Sequence, residues 1–238
     1  MLDVVAPHVS EIIAIINDCT DNTQAILESY QAKIIEHTWM GMTQQKNITL
    51  SHATQPWVFN LDADEVPSPE LMLAIDGIMQ SNPADIQAYS IPRLSYFLGK
   101  WIKHGDWYPD RVTRLFRRES GSFVGNTGHE KVHVRGKIKK IKADLYHYSF
   151  PTLASMISKL AFFGQAFLHT QQARNQKFTV IQAIARAYWR FFRCYIIRLG
   201  FLDGYVGFYI ANYQYFYTLY RYTCLLEHQI QTESKMNS

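Results

Sequence analysis

The chain has 238 residues, enough for one large domain or for a main domain with a helical appendage, and its 47% hydrophobic, 14% aromatic and 18% charged composition excludes global disorder. A net charge of +4 suits an anionic partner without choosing one. Cys19, Cys194 and Cys224 form neither a CxxC pair nor a framework, which argues against a disulfide scaffold or a cysteine zinc site and makes a reducing cytoplasm the simplest setting.

The opening MLDVVAPHVSEIIAII carries acidic residues and a proline, and does not read as a signal peptide. Glu11 to Ile16 is predicted as a strand, Asp21 to Gln31 as a helix opened by an Asp/Asn/Thr cap, and Lys33 to Glu36 as a second strand. Together they predict one βαβ unit of a parallel sheet flanked by helices. A helix over Gln44 to Ala53 and a buried strand over Pro56 to Leu61 follow, the strand delivering Asp62 at its carboxyl end. Ser68 and Pro69 cap and start a helix that stops at Asn82-Pro83.

From Ala88 to Ser149 the pattern turns to strands and glycine-marked turns. After Pro151 it is helical, so the predicted division is 1–150 and 151–238. Within the helical part, YWRFFRCYIIRLG places Arg190, Arg193 and Arg198 among large aromatics and isoleucines. This fits a basic amphipathic helix in a membrane interface, and fits equally a helix packed on the main domain or a second subunit. The stretch from Tyr205 to Leu226 is interrupted by Asn212, Gln214 and Arg221 and reads as interfacial rather than spanning. Dispersed basic residues without a reading motif argue against nucleic acid.

The chemistry concentrates at WVFNLDADE. Two aspartates spaced i, i+2 at the carboxyl end of a strand can both offer oxygens to one hard cation, Mg²⁺ or Mn²⁺, which would neutralise a nucleotide diphosphate. A bare DxD is more often a solvated turn; its place after an apolar strand and just before a capped helix favours a site.

The run QQKNITLSHATQPWVFNLDADEVPSPEL, then WYPDRVTRLFRR, then GHEKV, resembles family 2 glycosyltransferases, and within them the bacterial lipopolysaccharide-core type that adds glucose to an inner-core heptose. The resemblance covers Ser10 to Leu226, including RLGFLDGYVG. It implies an α/β, GT-A-like fold, a Rossmann-like mixed sheet, over residues 1–150 and a helical, membrane-interfacial region over 151–238. It further implies inverting transfer from a UDP-sugar to a lipid-linked glycan by an enzyme peripheral to the inner face of the cytoplasmic membrane.

By the same resemblance Asp62 and Asp64 hold donor and metal, with His147 as a third ligand. Lys46, within the matching Gln45-Lys46-Asn47, and Arg114 hold the donor, and Asp18 contacts the nucleotide. Glu130, in Gly128-His129-Glu130, is the base that takes the acceptor proton, with Asp110 as its rival. Arg114 and Arg117, three apart in a strand, are expected on opposite faces, so only one serves the site. The family's opening strand is expected to be missing, since Met1 falls within the first helix. Two alternatives stay open: a non-catalytic binding protein on the same fold, and a metal-dependent phosphoesterase using the same aspartates.

Overall fold

The computed structural model describes residues 1–125, 130–172 and 178–236. They form an α/β architecture with a helical C-terminal region and fall into two compact units, one of Met1–Arg93 with Asp110–His147, the other of Leu94–Pro109 with Tyr148–Ser238.

The first unit begins with a short helix, α1 (Leu2–Val5), followed by β1 (Ile13–Ile16), α2 (Thr23–Ser29) and β2 (Lys33–Glu36). β1 and β2 pair in parallel with Ile15 opposite Ile35, which is the expected βαβ unit. The parallel expectation does not extend to the strand that delivers Asp62. After α3 (Met42–Ser51), β3 (Trp57–Phe59) pairs antiparallel with β7 (Asp110–Arg117), at one end of a seven-stranded sheet of order β3-β7-β5-β11-β4. In that sheet β4 is Glu65–Pro67, β5 is Ile86–Phe97 and β11 is Leu145–His147. β10 (Lys137–Lys140) and β6 (Lys100–Trp101) also pair with β5, and β8 (Gly121–Val124) pairs with β9 (Lys131–Val134).

α4 (Pro69–Ser81) covers this sheet. Ser68 accepts the Leu71 N–H at 3.1 Å from a fully formed N-cap, Pro69 occupies the first turn, and Asn82 closes the helix in the left-handed conformation at φ 36°. Its buried face, Leu71, Met72 and Ile75, packs on Ile86, Tyr89, Ile91, Leu115 and Leu145. Because the Ser68 hydroxyl is buried and satisfies a helix-end donor, Ser68→Ala is expected to cost about 1 kcal/mol. A fall in the urea midpoint at unchanged slope would show it.

The second unit contains α5 (Leu153–Gln172), α6 (Val180–Phe192) and α7 (Gly204–Met236), with a π-helical turn at Arg193–Ile197 and a 3-10 turn at Gly200–Asp203. Its core is Phe97, Ile102, Met156, Cys194, Val206, Ile210 and Ala211. α6 opens with a capping box between Thr179 and Gln182. It buries Ala183 and Ala187 while Val180, Ile181, Ile184, Tyr188 and Phe192 are exposed, Ile181 at 80%. Among the described residues no single helix is long and apolar enough to cross a membrane; the bent pair Val180–Ile197 and Gly200–Thr232, at 70°, passes that test jointly.

Candidate active site

Backbone pairing within the first unit explains how side chains distant in sequence meet at Asp62. β3 ends at Phe59, opposite Leu115, and the Asn60 N–H donates to the Arg114 carbonyl at 2.8 Å, which lays Arg114 alongside the segment leaving the strand. The chain then turns, with the Glu65 N–H on the Asp62 carbonyl at 3.0 Å, and enters β4. β4 pairs antiparallel with β11 so that Glu65 faces His147, which brings the imidazole beside Asp64. β5 pairs with β7 so that Arg93 lies opposite Asp110.

α3 is fixed from the other direction. Asn47 exchanges two hydrogen bonds of 2.9 Å with the backbone of Phe123 in β8, and the buried Gln45 donates to the Thr38 carbonyl at 3.0 Å. Two residues of the Gln45-Lys46-Asn47 segment thus anchor the helix and the middle one reaches out. Lys46 Nζ lies 5.8 Å from the centre of the Phe123 ring and 2.6 Å from Asp62 Oδ1.

The result is a chain of alternating charges. Lys46 binds one oxygen of Asp62, and Arg114 binds the other at 2.5 Å. Arg114 also donates to Glu65 at 2.5 Å, Arg93 reaches the same Glu65 oxygen at 3.4 Å, and Arg93 pairs through Nε at 2.9 Å with Asp110. Glu65 is completely buried and its second oxygen accepts the Asp62 N–H at 3.1 Å. Three cations therefore balance three carboxylates. Burial pushes the Asp62 carboxyl upward, but Arg114 and Lys46 together outweigh it and hold the group below its ordinary value. A depressed carboxyl stabilises the fold above its unfolded pKa, and that contribution is lost as pH falls through the lowered value, so this site loosens in acid and not in base.

Asp64 stands outside the balanced chain. Its side chain is 45% exposed, it lies 3.5 Å from His147 Nε2, and the imidazole is the main reason its carboxyl sits below the usual range. The structure does not gather Asp62, Asp64 and His147 as the expected three-ligand set, and no group of three His, Cys, Asp or Glu side chains among the described residues is placed to hold a metal. Lys46 and Arg114 engage both oxygens of Asp62. Asp64 with His147 does fit a divalent ion, since a carboxylate and an imidazole side by side are donors that phosphates and water can complete.

Of the other expected residues, Asp18 is exposed at a left-handed turn after β1, at φ 47°, and is not part of the charge chain. Glu130 is half-buried just ahead of β9, while Gly128 and His129 lie outside the described residues. Arg117 turns away from the Arg114 face, donating to Asn82 and the Pro83 carbonyl and stacking 4.5 Å from the Trp57 ring. Asp110 is the partner of Arg93, which occupies it as an ion-pair group. Glu65 and Arg93 were not singled out from sequence. A charge inside each of the apolar runs EVP and IPRLSYF was the available signal, because a charge in a buried strand demands a partner.

Residues 7–142 match the profile of glycosyl transferase family 2. A glycosyltransferase of Rickettsia felis described as uncharacterized is 30% identical over 216 residues, covering 84% of this chain and 74% of that protein. The lipopolysaccharide core biosynthesis glycosyltransferase LpsC of Rhizobium meliloti is 26% identical over 146 residues, 58% of this chain and 54% of its own. Among solved structures, S. aureus TarS 1–349 aligns over 92% of this chain and 76% of its own at 13% identity and a TM-score of 0.43.

Proposed function

Because the chain belongs to glycosyl transferase family 2, and is thus a glycosyltransferase with a GT-A-like fold, we propose that it moves glucose from UDP-glucose, with inversion, onto a lipid-linked glycan of lipopolysaccharide-core type. The observation that carries this reading is the division of charge at Asp62-Ala63-Asp64-Glu65. Asp62 and Glu65 are neutralised within the protein, and Asp64 is left solvent-facing beside His147. A nucleotide diphosphate is an anion, and a carboxylate next to an imidazole accommodates one only with a cation between them. Asp64 and His147 would hold Mg²⁺ or Mn²⁺, which when bound supplies neutralisation of the leaving diphosphate.

Lys46 and Arg114 are the protein's own cations at this place and would orient the phosphate oxygens. The acceptor hydroxyl attacks the anomeric carbon from the side opposite the diphosphate and gives its proton to Glu130. As the new carbon–oxygen bond forms, the bond to the diphosphate oxygen breaks and UDP leaves. The kinship with LpsC supports the acceptor class. The uncharged exposed face of α6, Val180, Ile181, Ile184, Tyr188 and Phe192, supports attachment to the cytoplasmic face of a membrane.

The test is calorimetry with UDP-glucose and Mn²⁺, followed by transfer assays on a lipopolysaccharide-core acceptor, comparing the native chain with Glu130→Gln. Both should bind donor, and the variant should lose on the order of 10²- to 10⁴-fold in kcat. Native turnover by the variant would remove Glu130 as the base. Absence of donor binding would overturn the UDP-sugar reading, and phosphate release from UDP-glucose without acceptor would replace it with a phosphoesterase.

A further inference from the structure

The second unit contains another concentration of charge, and this one is not balanced. The 3-10 turn Gly105–Trp107 presents Asp106, whose side chain is 3% exposed. Three guanidinium groups converge on it: Arg190 Nε at 3.0 Å, Arg193 at 2.8 Å and Arg198 Nε at 3.5 Å. Gln214 accepts from Arg190 at 3.3 Å but contributes no charge. Among the described residues, one carboxylate against three cations leaves an excess of two positive charges in one small volume. Burial depresses the Arg190 guanidinium, Asp106 opposes this, and the neighbouring Arg193 and Arg221 add to the depression.

The convergence is built by the backbone. On an unbroken α-helix Arg198 would lie about 80° round the axis from Arg190. The π-helical turn inserts an extra residue, with the Arg198 N–H on the Arg193 carbonyl at 2.8 Å, and returns Arg198 to the same stripe. The turn is then clamped. The Gly105 N–H donates to the Arg198 carbonyl at 2.8 Å, and a Cβ at Gly200 or Gly207 would stand 2.6 Å from the Cys194 carbonyl oxygen or 1.8 Å from that of Gly200. A single arginine would neutralise Asp106; the other two leave positive charge over, and the three side chains, 31%, 32% and 48% exposed, remain within reach of an anion from solvent. Within the cluster the buried Asp106 Oδ1 and Arg193 Nε have no hydrogen-bond partner among the described residues.

We propose that Arg190, Arg193 and Arg198, held together by Asp106, form a binding site for a phosphate monoester carried by the acceptor or by the lipid around it. Guanidinium forks match tetrahedral oxyanions bidentately, and two net positive charges match a phosphate dianion. The transferase reading enters only in naming the molecule that presents the phosphate. The sequence pattern of arginines among aromatics thereby changes meaning: these arginines do not skirt the apolar face of α6 but turn to Asp106.

The experiment is calorimetric titration of the full chain, held in saturating UDP, with glucose 6-phosphate, with dihexanoyl phosphatidic acid below its micelle concentration, and with glucose. The native chain should bind a phosphorylated probe and not glucose. Arg198→Gln and Arg190→Gln should each weaken that binding roughly 10-fold or more, the loss of one charge-assisted hydrogen bond. Preference for the sugar phosphate assigns the site to the acceptor glycan, and preference for phosphatidic acid assigns it to a lipid headgroup. If neither phosphate binds the native chain, or if Arg198→Gln and Arg190→Gln bind it as the native chain does, the site does not exist. UDP-glucose binding by the native chain, titrated separately without UDP, tells a failure of the donor reading apart from a failure of this one.

Discussion

Glu65→Ala is expected to destabilise the first unit by about 3–5 kcal/mol, the range for breaking a buried ion pair by deleting one partner. The side chain is fully buried and supports three groups: the Arg114 guanidinium, the Arg93 guanidinium and the Asp62 N–H. Arg114 is itself only 6% exposed, so the deletion leaves its guanidinium, in a place nearly closed to water, with Asp62 as its remaining carboxylate partner among the described residues. Against a total stability of about 5–15 kcal/mol such a loss leaves little margin. Urea denaturation followed by near-ultraviolet dichroism measures it. Glu65→Gln should recover part of the loss, because an amide oxygen still accepts from Arg114 although it carries no charge. A Glu65→Ala unfolding free energy within about 0.5 kcal/mol of native would mean that the carboxylate is not what holds Arg114 in place.

The second large effect concerns turnover and leaves the fold intact. Asp64 is nearly half exposed, and its recorded partner is His147, so Asp64→Ala should shift stability by no more than about 0.5 kcal/mol. Donor turnover should fall on the order of 10³-fold, the several kcal/mol that a cation contributes at a developing diphosphate charge. The contrast between neighbouring acids is the decisive part. Glu65→Ala damages structure first and activity through it, whereas Asp64→Ala damages activity alone. Native rates from a folded Asp64→Ala protein would displace Asp64 from the donor site.

Features governed by near neighbours were legible in the sequence. The Ser68-Pro69 start and Asn82 stop of α4 are written in adjacent residues, and the β1-α2-β2 unit in its hydrophobic period. What escaped reading depended on register. The pairing of β4 with β11 joins residues some 80 positions apart and decides that His147 meets Asp64; the pairing of β5 with β7 decides that Asp110 meets Arg93. No local periodicity encodes either. The surroundings of Asp62 were hidden for the same reason, since the sequence shows two aspartates and a histidine but not that Lys46 and Arg114 pair with Asp62. The arginines from 190 to 198 left two readings open, an interface or a packed helix, and only the position of Asp106, more than eighty residues earlier, reveals where they turn.

β5 carries a final consequence. Its first eight residues, Ile86 to Arg93, belong to one compact unit and its last four, Leu94 to Phe97, to the other, and the chain up to Pro109 stays with the C-terminal helices before returning. Phe97 and Ile102 are core residues of the helical unit although they are encoded inside the strand-rich half. The helices therefore cannot be inherited as a tail. A recombination event that replaced everything after residue 150 would bring in helices whose innermost side chains must fit a Phe97 and an Ile102 they had never met. Divergence in the C-terminal helices should accordingly proceed by paired change in two separated stretches of the gene, with 94–109 drifting in step with the C-terminus and not with the residues of the first unit that flank it.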